Sequence, residues 1–121
     1  MTRTFLNKNI MIIDFNNIEE EKKMNVLGGK GELDAKTVLD KDNKIMLSRL
    51  KPGASTGLHK HEGNCEIMYI VEGEATFVCD GKEEIAKAGQ VHYCPNGHSH
   101  YLLNKTEKDI VFFAIVPNLG K

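Results

Sequence analysis

An all-β fold, a sandwich or closed barrel with at most one short N-terminal helix, is predicted by three features of this sequence. Short runs rich in Val, Ile, Phe and Tyr recur about every eight to twelve residues. Turn residues separate them, and only one segment reads as helix. With 121 residues and a 40% apolar content, the chain suffices for one domain with one core.

The elements follow in order. Residues 1–10 read as a loose arm and residues 10–15 (IMIIDF) as a first strand. Over 16–24 (NNIEEEKKM), Asn16 or Asn17 offers an N-cap for about two helical turns. The GGKG stretch at 28–31 reads as a flexible loop; it lacks the spacing of a nucleotide-binding phosphate loop. Strands are then predicted at 44–50, 65–71, 74–79, 83–87, 91–94, 99–103 and 110–116. Asp40–Lys44 (DKDNK) mimics the start of a calcium loop, but no Gly stands at its sixth position, so it reads as a hairpin turn. Asp80-Gly81 predicts a tight hairpin with positive φ, and Gly73, Gly89 and Pro95-Asn96-Gly97 mark further turns.

Composition narrows the function. Sixteen basic residues oppose seventeen acidic ones, and no basic run is long enough to track a phosphate backbone. A partner that is nucleic acid or an anionic membrane is therefore not expected. No apolar stretch reaches the roughly 20 residues that span a bilayer, and the polar N-terminus lacks the apolar core of a signal peptide. Cys65, Cys79 and Cys94 are odd in number and show no C-x-x-C spacing, so reduced thiols in the cytoplasm are expected.

The chemistry lies in the histidines. His59 and His61 are spaced i, i+2, which on a strand puts both imidazoles on one face. Alone, such a pair is equally compatible with a solvated surface. Glu66 follows beyond a Gly63-Asn64 turn, which would let the next strand run back alongside and bring the carboxylate opposite the imidazoles. His100 follows the Pro95-Asn96-Gly97 turn. Three imidazoles and a carboxylate make a mixed N/O donor set suited to Fe(II), Mn, Ni, Cu or Zn rather than Ca or Mg.

Residues 53–73 (GASTGLHKHEGNCEIMYIVEG) resemble the first motif of the cupin superfamily, G-x5-H-x-H-x3,4-E-x6-G, at Gly53, His59, His61, Glu66 and Gly73. Residues 89–104 (GQVHYCPNGHSHYLLN) resemble the second, G-x5-P-x-G-x2-H-x3-N, at Gly89, Pro95, Gly97, His100 and Asn104. The motifs cover about a third of the chain, and residues 74–88 separate them, a spacing common in small bacterial cupins. One departure is Gln90, where many cupins carry Asp; it affects a turn and no ligand position. The resemblance implies a double-stranded β-helix, a jelly-roll barrel over 36–121 with an arm, strand and loop over 1–35. It implies one divalent metal ion held by His59, His61, Glu66 and His100, leaving two of six coordination positions for water, substrate or dioxygen. It further implies a metal-dependent enzyme of dioxygenase, isomerase or lyase type on a small polar or anionic substrate, or alternatively a non-catalytic binding module. No dedicated catalytic residue is identified outside the ligands. Cupins of this size are commonly homodimers, and the apolar runs at 10–15 and 110–116 are candidate edges for that contact.

Other residues bear on the same site. His92 shares strand parity with Cys94; if that face lines the barrel, it becomes a partner of the site, and Tyr93 enters the cavity only if His92 does not. His98, in a turn, is expected to face solvent. Tyr69 and Tyr101 are out of phase with Glu66 and His100. Arg49 is either a surface arginine or an anion clamp in the cavity.

Overall fold

A computed structural model describes residues 3–5 and 11–120. Among the described residues, eleven strands form two sheets. They are β1 (Arg3–Phe5), β2 (Glu21–Met24), β3 (Glu32–Leu39), β4 (Asn43–Leu50), β5 (His59–Lys60), β6 (Glu66–Glu72), β7 (Glu74–Cys79), β8 (Lys82–Lys87), β9 (Val91–Cys94), β10 (Ser99–Leu103) and β11 (Ile110–Pro117). The larger sheet runs β1-β3-β4-β11-β6-β9, with β2 also paired to β3; the smaller runs β5-β10-β7-β8. The expected all-β jelly roll is what forms.

Period-two patterning explains the layers. On β6, Glu66, Met68 and Ile70 are buried while Ile67, Tyr69 and Val71 face out. On β11, Ile110, Phe112 and Ala114 point inward. These meet Phe77 of β7 and Leu102 of β10 from the other sheet in one core. Each large side chain fully buried there contributes about 1.5–3 kcal/mol.

Two motif residues have structural roles that spacing alone does not show. Gly73 joins β6 to β7 with φ +91°, and a Cβ there would sit 2.7 Å from the Asp109 carbonyl oxygen. Asn104 is buried; its Nδ2 donates to the Leu50 and Lys108 carbonyls, and its Oδ1 accepts from the Thr106 amide at 2.9 Å and hydroxyl at 2.7 Å. It thereby closes the turn that feeds β11.

The N-terminal third departs from expectation. Residues 11–14 form no strand, and Met11 and Ile12 are exposed; position 10 lies outside the described residues. The helix expected over 16–24 is a single 3-10 turn at Phe15–Asn17, and its cap is Asp14, not Asn16 or Asn17. Residues 21–24 are instead β2, paired antiparallel with β3. The loose arm expected over 1–10 contains β1, parallel to β3; the remainder lies outside the described residues. β3, unpredicted, runs continuously across position 35. The 28–31 loop is not a free one: Lys30 bridges to Ser55, and Gly29 and Gly57 let two backbones touch. β11 lies between β4 and β6, so it is no edge. Among the described residues no helix is long and apolar enough to cross a membrane.

Candidate metal centre

The site begins with one cross-strand pair. His59 of β5 and His100 of β10 are register partners in the smaller sheet. His61 continues the same side beyond β5. The turns of the two motifs are laced together: the His61 amide donates to the His98 carbonyl, the Gly97 amide to the His61 carbonyl, and the Gly63 amide to Asn96 Oδ1. These bonds fix His61 beside His100. Glu66 arrives differently from expectation. β5 and β6 do not pair; the chain crosses to the larger sheet, and the carboxylate faces the imidazoles across the barrel.

The four ligand-type atoms lie within 4.8 Å of one another. His100 Nε2 is 3.0 Å from both His61 Nε2 and His59 Nε2. Glu66 Oε1 is 3.1 Å from His100 Nε2, 3.3 Å from His61 Nε2 and 3.9 Å from His59 Nε2. Every Nδ1 has its own partner: the Gly57 carbonyl for His59 at 2.8 Å, Asn64 Oδ1 for His61 at 2.6 Å, and His92 Nε2 for His100 at 3.0 Å. Such acceptors keep the proton on Nδ1 and turn the Nε2 lone pair inward. Three lone pairs and a carboxylate oxygen aimed at one point repel unless a cation lies among them. The donor set therefore fits a divalent transition ion.

Electrostatics agree. Burial alone would push the Glu66 carboxyl up, but hydrogen bonds from His100, His59 and His61 in the form that carries a proton on Nε2, the form an ion would displace, outweigh it and hold the group well below the carboxylate range. The bond to Glu66 raises His61 against the opposing effect of burial. His92 goes the other way: burial, then the charge of His100, lowers it to about 4, so it is a neutral acceptor. Burial pushes Cys94 up to about 12 and also raises Cys79, which leaves both as thiols rather than metal-binding thiolates.

The centre opens on a cavity of about 390 Å³ between the sheets. Lys23, Lys44 and Lys60 line it; Glu66 is the one carboxylate among its described lining residues. His92 is buried behind His100 with its ring stacked on Phe77 at 3.9 Å, and Tyr93 accordingly faces outward. His98 is exposed and paired with Asp80. Tyr69 is exposed. Arg49 is not in the cavity: it pairs with Glu20 at 2.6 Å and lies 4.0 Å from Asp109. Sequence reasoning missed Gly57 and Asn64, the partners that orient His59 and His61. The only signal was their place two residues before and three after those ligands.

Comparison with known proteins agrees with this architecture. The sequence profile described as the cupin domain matches residues 46–116. An "oxalate-binding protein" of Thermotoga maritima is 40% identical over 112 residues, which cover 88% of this chain and 93% of that protein. A crystal structure described as a predicted oxalate decarboxylase, also from Thermotoga maritima, superposes with a TM-score of 0.84 at 37% identity, covering 90% of this chain and 100% of that one. A sugar phosphate isomerase from Silicibacter pomeroyi gives 0.72 at 21% identity, covering 88% and 74%, a likeness of fold alone.

Proposed function

The chain belongs to the cupin family, and from that premise we propose that it is a metal-dependent binding protein for small dicarboxylates, with oxalate as the first ligand to try. His59, His61, Glu66 and His100 would hold one divalent ion of the Fe, Mn, Ni, Cu or Zn group. The ion, bound by neutral imidazoles and one carboxylate, keeps net positive charge and supplies a Lewis-acidic site for carboxylate oxygens. The convergence of three Nε2 atoms and Glu66 Oε1 at the wall of a lysine-lined cavity carries this reading. The name of the 40% identical relative supports the choice of oxalate.

Binding is placed before turnover on the name of the 40% identical relative. Carbon–carbon cleavage calls for a proton donor beside the ligand; Glu66, the one carboxylate among the described lining residues, is turned to the imidazoles, so a lysine of the lining would have to serve. Calorimetric titration of the protein reconstituted with Mn(II) is expected to show saturable oxalate binding. That binding should vanish on chelation and in His59→Ala/His61→Ala. A metal-loaded protein that gives no heat with oxalate would sink the reading, and release of formate or carbon dioxide would put the enzyme first. We further propose a homodimer in the cytoplasm, where three free thiols would stay reduced.

A further inference from the structure

The cavity is larger and more apolar than oxalate requires. Its roughly 390 Å³ lies in the range of pockets that enclose drug-sized ligands, about 300–1,000 Å³. Oxalate is only two joined carboxylates. Away from the imidazoles much of the wall is hydrocarbon, chiefly Val26 and Leu27 from the loop before β3, Met46 from β4 and Val116 from β11, interrupted by Lys23 and Lys44. Leu102 and Phe112, at 2% and 3% exposure, are its packed backing, and the surface that meets water is Leu27, 60% exposed, with the half-buried Val26, Met46 and Val116. Oxalate at the imidazole cluster would leave that surface facing water, which is unfavourable.

The charges limit what else fits. Three lysines line the cavity, Lys23 lying 3.9 Å from Glu21 and Lys60 3.6 Å from Glu62, while Glu66 is the one carboxylate among the described lining residues, a balance that favours an acid over a neutral sugar. One polar end with a largely apolar wall calls for a ligand of the same division. Resting on the metal-dependent carboxylate reading above, we infer that the cavity selects a 2-oxo or 2-hydroxy monocarboxylate with a branched aliphatic or aryl body. Its carboxylate and adjacent oxygen reproduce the two-oxygen head of oxalate, and its body lies on Leu27, Met46 and Val116.

The expected gain follows from burial. Each methylene moved from water onto such a wall is worth roughly fourfold in affinity. Part of the body stays wet at the mouth, so about tenfold is expected for an isobutyl or benzyl group over a methyl. The test is calorimetric titration of the Mn(II)-loaded chain with oxalate, pyruvate, 4-methyl-2-oxopentanoate and phenylpyruvate. The last two should bind about tenfold tighter than pyruvate. Leu27→Asn and Met46→Gln should each shrink that ratio, with Mn(II) stoichiometry and oxalate binding as controls for folding. Leu27 sits at φ 56°, ψ 28°, a conformation Asn adopts more readily than Leu, so the first variant carries no added backbone strain.

Equal affinity for pyruvate and the longer acids, in a protein that binds oxalate, overturns this inference and leaves the dicarboxylate reading standing. Failure of every acid to bind a stoichiometrically loaded protein overturns both. Tighter binding of the longer acids that neither variant reduces would place their bodies outside this cavity and overturn the assignment.

Discussion

His92 lies between the ring of Phe77 and the Nδ1 of His100, so one side chain couples the hydrophobic core to the metal centre. As a neutral acceptor it keeps the His100 proton on Nδ1 and leaves Nε2 free to ligate. His92→Phe keeps an aromatic ring against Phe77 but removes the acceptor. Metal affinity is expected to fall about ten- to a hundredfold, measured by competition with a chromophoric chelator. His98→Ala, whose side chain faces solvent beside Asp80, should leave it unchanged. Equal affinities across wild type and both variants would show that His100 needs no partner at Nδ1. The ligands themselves carry the sharper expectation. In His59→Ala/His61→Ala, elemental analysis should find no stoichiometric metal, and retained metal would sink the site assignment.

At the scale of elements, the site depends on two loops in close contact. A Cβ on Gly57 would lie 1.8 Å from the Leu27 carbonyl oxygen, and one on Gly29 would lie 2.1 Å from that of Ser55. The Gly57 carbonyl is the acceptor that orients His59. Gly57→Ala must therefore separate the loops. We expect a loss of about 1–3 kcal/mol in chemical denaturation, the usual range for a strained or overpacked site, together with weaker metal binding. Gly53→Ala is the comparison: φ there is +75° but the space is open, so it should lose stability and leave metal affinity intact. If both variants bind metal alike, the Gly57 carbonyl is not what sets His59. This coupling was not legible in the sequence, because it depends on which backbone passes which. Parity was legible. The alternation in β6 and β10 places Glu66 and His100 inward, whereas in β9 period two requires only that His92 and Cys94 share a face, and the structure turns that face inward. Local propensity failed at 16–24, where EEEKK favours a helix but pairing of Lys23 with Leu33 and Glu21 with Ala35 makes a strand. β3 escaped notice because its buried positions include Asp34 and Thr37, so it lacks the density of Val and Ile that marks a core strand.

For the molecule as a whole, the imidazole–carboxylate centre and the uncovered sheet face lead to two expectations. Lone pairs crowded around one point make the metal-free barrel the less stable form. Metal at a hundredfold excess over its dissociation constant adds about 2.7 kcal/mol, or roughly 10 °C in Tm for a domain of this size. Calorimetry of the wild type should show that shift and His59→Ala/His61→Ala should not; a shift in both would place the ion elsewhere. The outer face of the larger sheet is the second case. Ile67, Tyr69 and Val71 of β6 stand beside Val91 and Tyr93 of β9, all 37% exposed or more. Among the described residues β9 is also the sheet's edge, with one row of its backbone groups paired to no other strand. An apolar stripe next to an open edge is self-complementary: a second copy related by a two-fold axis covers both at once, with no charged side chain among these five to oppose it. Light scattering at micromolar concentration should therefore give twice the mass of the chain. Val91→Glu/Tyr93→Glu would bring like charges together across that axis and should halve the mass. Metal binding should survive, because both side chains point away from the cavity. A monomeric wild type would reject the dimer, and a double variant still dimeric would move the contact to another face.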